Sequence, residues 1–111
     1  MSPPVAALAL TLAVEVPLVA ALFPGQRARM ALVAAVSNIA TNLTLNLVLA
    51  RTPALAGYQV LVGEILAVVV EAAAYASFSR PRDLPRCALA AGLGNALSFA
   101  VGFTTLPKLL L

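Results

Sequence analysis

Residues 4–23, PVAALALTLAVEVPLVAALF, decide the fold. The stretch has no basic side chain, and a single Glu interrupts its apolar run. A helix rises ~1.5 Å per residue, so ~20 apolar residues cross the ~30 Å hydrocarbon core of a bilayer. The alternation of apolar and polar residues that a membrane β-strand requires is missing here, so the stretch reads as a transmembrane helix. Three similar runs follow, at about Ala28–Ala50, Tyr58–Phe78 and Arg86–Leu106. Their stops are Pro24-Gly25, Arg51-Thr52-Pro53, Ser79-Arg80-Pro81 and Pro107-Lys108. Seven of the eight prolines fall at or beyond the span ends, where a missing N–H costs least. Pro17 alone lies inside a span and predicts a kink in the first helix just after Glu15.

The expected fold is therefore all-α: a polytopic membrane protein of four transmembrane helices, forming one domain over residues 1–111. Composition agrees, since 62% of the residues are hydrophobic and only 10% charged, against roughly 25% charge in a soluble domain. The Met1-Ser2-Pro3-Pro4 start has no positively charged region, so the first apolar run reads as a retained span rather than a signal peptide. With no His and one Cys, Cys87, an intrachain disulfide or a Cys/His metal site is excluded. Cys87 reads as a small apolar packing residue.

The basic residues predict orientation. Arg27, Arg29, Arg80, Arg82 and Arg86 follow spans one and three, while only Arg51 and Lys108 lie at the other end. The positive-inside bias then puts loops 24–29 and 79–86 in the cytoplasm and both termini outside, in a multi-pass cell-membrane or inner-membrane protein. Clustered in two loops, these charges are topology determinants within reach of anionic lipid head groups, and no nucleic-acid partner is expected.

The two hairpins, about 4–50 and 58–106, resemble each other. Val14-Glu15 precedes a basic loop and then ALVAAVSNIAT at 31–41. Val70-Glu71 precedes a basic loop and then ALAAGLGNALS at 88–98. The Ala and Leu matches mean little in so biased a chain, but Glu and Asn are rare in it. The pattern predicts a parallel duplication about an axis along the membrane normal. Glu15 lies eight residues before Phe23 and Glu71 eight before Ser79, while Asn38 and Asn95 lie nine past Arg29 and Arg86. All four therefore sit roughly 12–14 Å from the cytoplasmic edge, near mid-bilayer.

Three of the four acidic residues, Glu15, Glu64 and Glu71, fall inside the predicted spans, and none of the seven basic residues does. An unpaired charge there costs about 2.5–3.5 kcal/mol on insertion scales. Each Glu must carry a proton, accept hydrogen bonds or hold a cation. Glu64, Glu71 and Tyr75 share one helical stripe, although Tyr75 would also suit an interfacial aromatic belt and Glu64 could snorkel outward. Asn38, Thr41, Asn42 and Asn46 form a ladder on the second helix, flanked by Ser37 and Thr44, and climb toward the depth of Glu64. Ala88, Ala91, Asn95, Ser98 and Gly102 form a small-residue seam on the fourth helix, suited to close packing.

The expected ion- or proton-binding residues are Glu15, Glu71, Glu64, Asn38, Asn95, Thr41, Asn42, Asn46, Ser98 and Tyr75. No metal site or cofactor is expected. Without a phosphate-binding loop, HExxH or G-x-S-x-G motif, the chain is not expected to be an enzyme. The function expected is a small transporter or channel subunit for protons, cations or a small cationic solute. The alternative is a non-transporting assembly protein, scaffold or accessory subunit, whose polar layer fixes helix packing or docks a partner. Four helices enclose little volume, so the expected surroundings are lipid bilayer and a homo-oligomer, with helix four as the contact, or a larger membrane complex.

Overall fold

A computed structural model describes residues 3–50 and 58–110; the side chains at 3, 4, 46, 48–50, 59, 60 and 103–110 lie outside that description. The described chain is all-helical: α1 (Pro3–Leu22), α2 (Arg27–Ala50), α3 (Gln59–Phe78) and α4 (Leu84–Leu110). Among the described residues, three helical stretches are long and apolar enough to cross a membrane: Val5–Leu22, Leu61–Phe78 and Leu84–Gly102. α2 spans 24 residues and is the least apolar of the four, because it carries Arg27 and Arg29 at its start as well as the Asn/Thr ladder.

α1 continues as one helix through Pro17, whose ring nitrogen has no hydrogen to donate to the Ala13 carbonyl. α4 is longer at both ends than its sequence suggests. It starts at Leu84, with Pro85 in its first turn, where a missing N–H has no helical acceptor to lose. It ends at Leu110 rather than before Pro107. Proline removes only one i→i−4 bond and its fixed φ is helical, so a last turn closes around it.

The turns at the Arg-rich end are built by local hydrogen bonds. Gly25 reverses the chain after α1 with φ +90°, a conformation that glycine adopts without strain. Ser79 ends α3 in an extended conformation, its N–H donating to the Tyr75 carbonyl at 2.9 Å. Asp83 opens α4 by accepting from the Arg86 N–H at 3.1 Å. Arg86 Nη1 also donates to the Leu22 carbonyl at 3.0 Å, and Arg82 Nε to the Ala76 carbonyl at 2.9 Å. Both arginines thus place positive charge at a helix C-terminus, complementing its dipole. The Arg80 N–H donates to Gln26 Oε1 at 2.8 Å and ties the two turns together.

The helices form a ring. α1 packs on α2 and α4, and α3 packs on the same two helices. Toward the Arg-rich end the interior is an apolar cluster of Val19, Phe23, Met30, Ala34, Tyr75, Cys87, Ala90 and Ala91. The rings of Phe23 and Tyr75 meet at 6.4 Å between centroids with a 59° tilt, a favourable edge-on geometry. Large apolar side chains, among them Leu32, Val36, Leu61, Ile65, Val69 and Leu89, point outward. This is the reverse of a water-facing surface, which keeps its apolar patches small.

Candidate functional site

Beyond the apolar cluster, every helix delivers polar residues to one buried layer. The inward positions recur at three and four residues: 15 and 19 on α1; 34, 38 and 41 on α2; 67, 71 and 75 on α3; 91, 95 and 98 on α4. One apolar stripe per helix is ordinary, but here each stripe turns polar at the same depth. Glu15 and Glu71 are 0% exposed, Asn38 1%, and Thr41, Asn95 and Ser98 all under 10%. Tyr75 is also 0% exposed, so it belongs to the interior and not to an interfacial aromatic belt.

The hydrogen bonds share one direction. Asn38 Nδ2 donates to the Ala34 carbonyl at 2.7 Å, and Asn95 Nδ2 to the Ala91 carbonyl, also at 2.7 Å. Thr41 Oγ1 donates to the Ser37 carbonyl at 2.8 Å, Ser37 Oγ to the Ala34 carbonyl at 3.3 Å, and Asn42 Nδ2 to the Asn38 carbonyl at 2.9 Å. The donors are turned onto their own helices, a common habit of short polar side chains. Acceptor oxygens are left to face the bundle interior. Asn95 Nδ2 makes the one described side-chain link between helices in the layer, donating to Glu71 Oε2.

The carboxyl groups differ from one another. Glu71 has this Asn95 partner on Oε2, but its Oε1 has none among the described residues. Both oxygens of Glu15 are buried without a partner, as are Tyr75 Oη and Ser98 Oγ. The Tyr75 hydroxyl lies in the electrostatic field of both carboxyl groups. Ser98 Oγ faces Glu15, and Tyr75 Oη faces the side chains of Ser37 and Asn38, all within electrostatic reach but short of hydrogen-bond geometry. Such orphaned buried groups are rare and call for a reason. None of the described arginines offers one: Arg27, Arg29, Arg80, Arg82 and Arg86 are all exposed.

Of the ten residues that the sequence singles out, Glu15, Glu71, Asn38, Asn95, Thr41, Ser98 and Tyr75 are buried together. Asn42 and Glu64 are half-buried at the margin, with Glu64 in electrostatic reach of both buried carboxyl groups. The Asn46 side chain lies outside the described residues. On α4, Ala91, Asn95 and Ser98 point inward while Ala88 is exposed. That part of the small-residue seam packs inside the bundle, and is not a free face for a second copy.

Gly94 is the position at this candidate site that sequence reasoning misses. A Cβ at this residue would stand 2.8 Å from Glu15 Oε1 and 3.1 Å from its Cγ. The sequence signal was its place immediately before Asn95, but its meaning depends on an α1–α4 contact that no pattern within α4 reveals. Comparisons with protein-family models, with curated proteins and with solved structures found no match.

Proposed function

We propose that this chain is a small integral membrane transporter or channel subunit that moves protons, cations or a small cationic solute through the Glu/Asn layer. One observation carries this reading: two fully buried carboxyl groups keep orphaned oxygens in an interior with no basic side chain, where the amides of Asn38 and Asn42 and the Thr41 hydroxyl are turned onto their own helix. A ligand that completes such a lining must act as a donor or carry positive charge. An anion would meet two carboxyl groups, with only the Tyr75 and Ser98 hydroxyls as free donors.

All four helices cross the bilayer in this proposal, the Arg-rich turns lie in the cytoplasm, and the protein works as a homo-oligomer. The apolar cluster around Phe23, Met30 and Tyr75 closes the layer toward the turns, so access runs from the opposite side past half-buried Asn42 and Glu64. A parallel duplication of the hairpin is also proposed. The matching 2.7 Å bonds of Asn38 and Asn95, each to the carbonyl four residues before it, support it. So does the burial of Glu15, Asn38 and Thr41 alongside Glu71, Asn95 and Ser98.

The test is cation- or pH-dependent uptake into liposomes by the native chain and by Glu71→Gln, with helical content checked by circular dichroism. Loss of uptake in a folded variant supports the proposal; unchanged uptake refutes it.

The Asn95–Glu71 bond, which joins α4 to α3, favours a second reading as a packing device in a non-transporting assembly protein. In that case Glu→Gln changes at 15 and 71 are tolerated, and native purification brings down a second membrane protein.

A further inference from the structure

We infer that the ligand of the buried layer is a bare proton, carried on the Glu15 carboxyl with Glu71 as its neighbour, and not a metal ion or an organic cation. The inference rests on the proposed reading of the layer as a cation-handling site. It draws on space, donor count and the asymmetry between the two acids.

Space comes first. Glu15, Glu71 and Tyr75 are 0% exposed, and the orphaned oxygens of Glu15, Glu71, Tyr75 and Ser98 have essentially no accessible area of their own. A void that could hold one water would expose the oxygens lining it. A hydrated ion or an organic cation therefore cannot stand beside these groups in this packing. Gly94 tightens the fit further, because its bare backbone is what leaves room for the Glu15 carboxyl at all.

Donor count comes second. Mg2+ usually keeps several waters, and Ca2+ gathers ~6–8 oxygens. The layer holds two carboxyl groups beside the side-chain oxygens of Asn38, Asn95, Thr41, Ser98 and Tyr75, but the orphaned oxygens among them have no accessible space beside them, and no group of three or more His, Cys, Asp or Glu able to hold a metal occurs among the described residues. The orphaned hydroxyls of Tyr75 and Ser98 point independently to a ligand here, since both are more than nine-tenths buried beside the acids without a partner. A proton needs no cage. Its binding forms one O–H bond on a carboxylate oxygen, removes the negative charge, and adds a donor beside the orphaned oxygens of the layer.

The asymmetry chooses the residue. Glu71 already receives the Asn95 N–H, whereas Glu15 receives no hydrogen bond on either oxygen. A charged Glu15 would have no counter-charge and no closed hydrogen bond; protonation removes the charge. The titratable groups facing it come from one helix, α3, as Glu71, Tyr75 and Glu64. α2 and α4 contribute none to the layer among the described residues, their arginines lying exposed at the turn end.

The experiment uses the full chain in liposomes and dicyclohexylcarbodiimide, which modifies carboxylic acids that hold their proton in apolar surroundings. Modification is mapped by mass spectrometry across pH, in choline chloride and after replacement by sodium, potassium or calcium chloride. The expected result is modification of Glu15 that slows as pH rises, is the same in every salt, and disappears in Glu15→Gln. Suppression by one cation in proportion to its concentration makes that ion the ligand; it overturns the proton assignment and leaves the transport reading standing. Reaction confined to Glu71, which shows that the reagent reaches the layer, also overturns the assignment. Salt-independent modification of Glu15 in a chain that carries no flux upholds the proton site and removes the transport reading. The deciding readout is made on the unsubstituted chain, so a misfolded variant does not affect it.

Discussion

The Glu15 carboxyl lies against the bare backbone of Gly94, where a Cβ would come within 2.8 Å of Oε1, 3.1 Å of Cγ and 3.4 Å of Cδ. This contact brings α1 and α4 together at the depth where Asn95, the next residue, holds Glu71 of α3. Two consecutive α4 residues thus seat the two acids, one by having no side chain and the other by donating a hydrogen bond.

Gly94→Ala tests the first of these. The added methyl forces a fully buried side chain to move, and overpacking of this kind costs about 1–3 kcal/mol. Thermal unfolding in detergent should show a lower Tm. In a Glu15→Ala background the penalty should disappear, because the two positions couple directly. An equal penalty in both backgrounds would show that Gly94 matters for some other reason.

Asn95 and Asn38 occupy matching places in the two hairpins, yet their replacement by Leu should differ in cost. Asn95→Leu leaves a buried Glu71 oxygen without its donor, a loss of about 1–3 kcal/mol. Asn38→Leu removes a bond to its own helix, where the Ala34 carbonyl keeps its place in the helical ladder, and should cost clearly less. Denaturant unfolding of the two variants checks the order. Equal losses would place an unrecognised partner on Asn38.

Tyr75→Phe separates stability from function. The hydroxyl is buried without a partner, so its removal should leave stability unchanged or raise it by about 1 kcal/mol, while the ring keeps its contact with Phe23. If the hydroxyl serves the ligand, the same variant should carry less flux in liposomes. A destabilised Tyr75→Phe protein would mean that the hydroxyl is satisfied and outside the site.

Helix ends marked by chain reversal were legible in the sequence: Pro24-Gly25 and Ser79-Arg80-Pro81 stop α1 and α3 within a residue of the expected positions. The polar layer was legible too, since the fixed rise per residue turns distance from a loop into depth, and rare Glu and Asn mark that depth on all four helices. Pro107 misled, because a proline near a helix end has little left to break. The direction of the hydrogen bonds was hidden. Whether Asn38 donates to its own backbone or across the bundle is a choice of rotamer, which spacing does not set. Arg82 and Arg86 were legible as charge, but their placement on the carbonyls of Ala76 and Leu22 depends on how the turns fold back. Gly94 was hidden for the same kind of reason, since its significance lies on α1.

Proton flux into liposomes, driven by an imposed potential and read with a trapped pH-sensitive dye, tests the central claim most directly. The native chain should carry the flux, and Glu15→Gln and Glu71→Gln, folded to the same helical content, should each abolish it. Flux that persists undiminished in both variants would contradict the account.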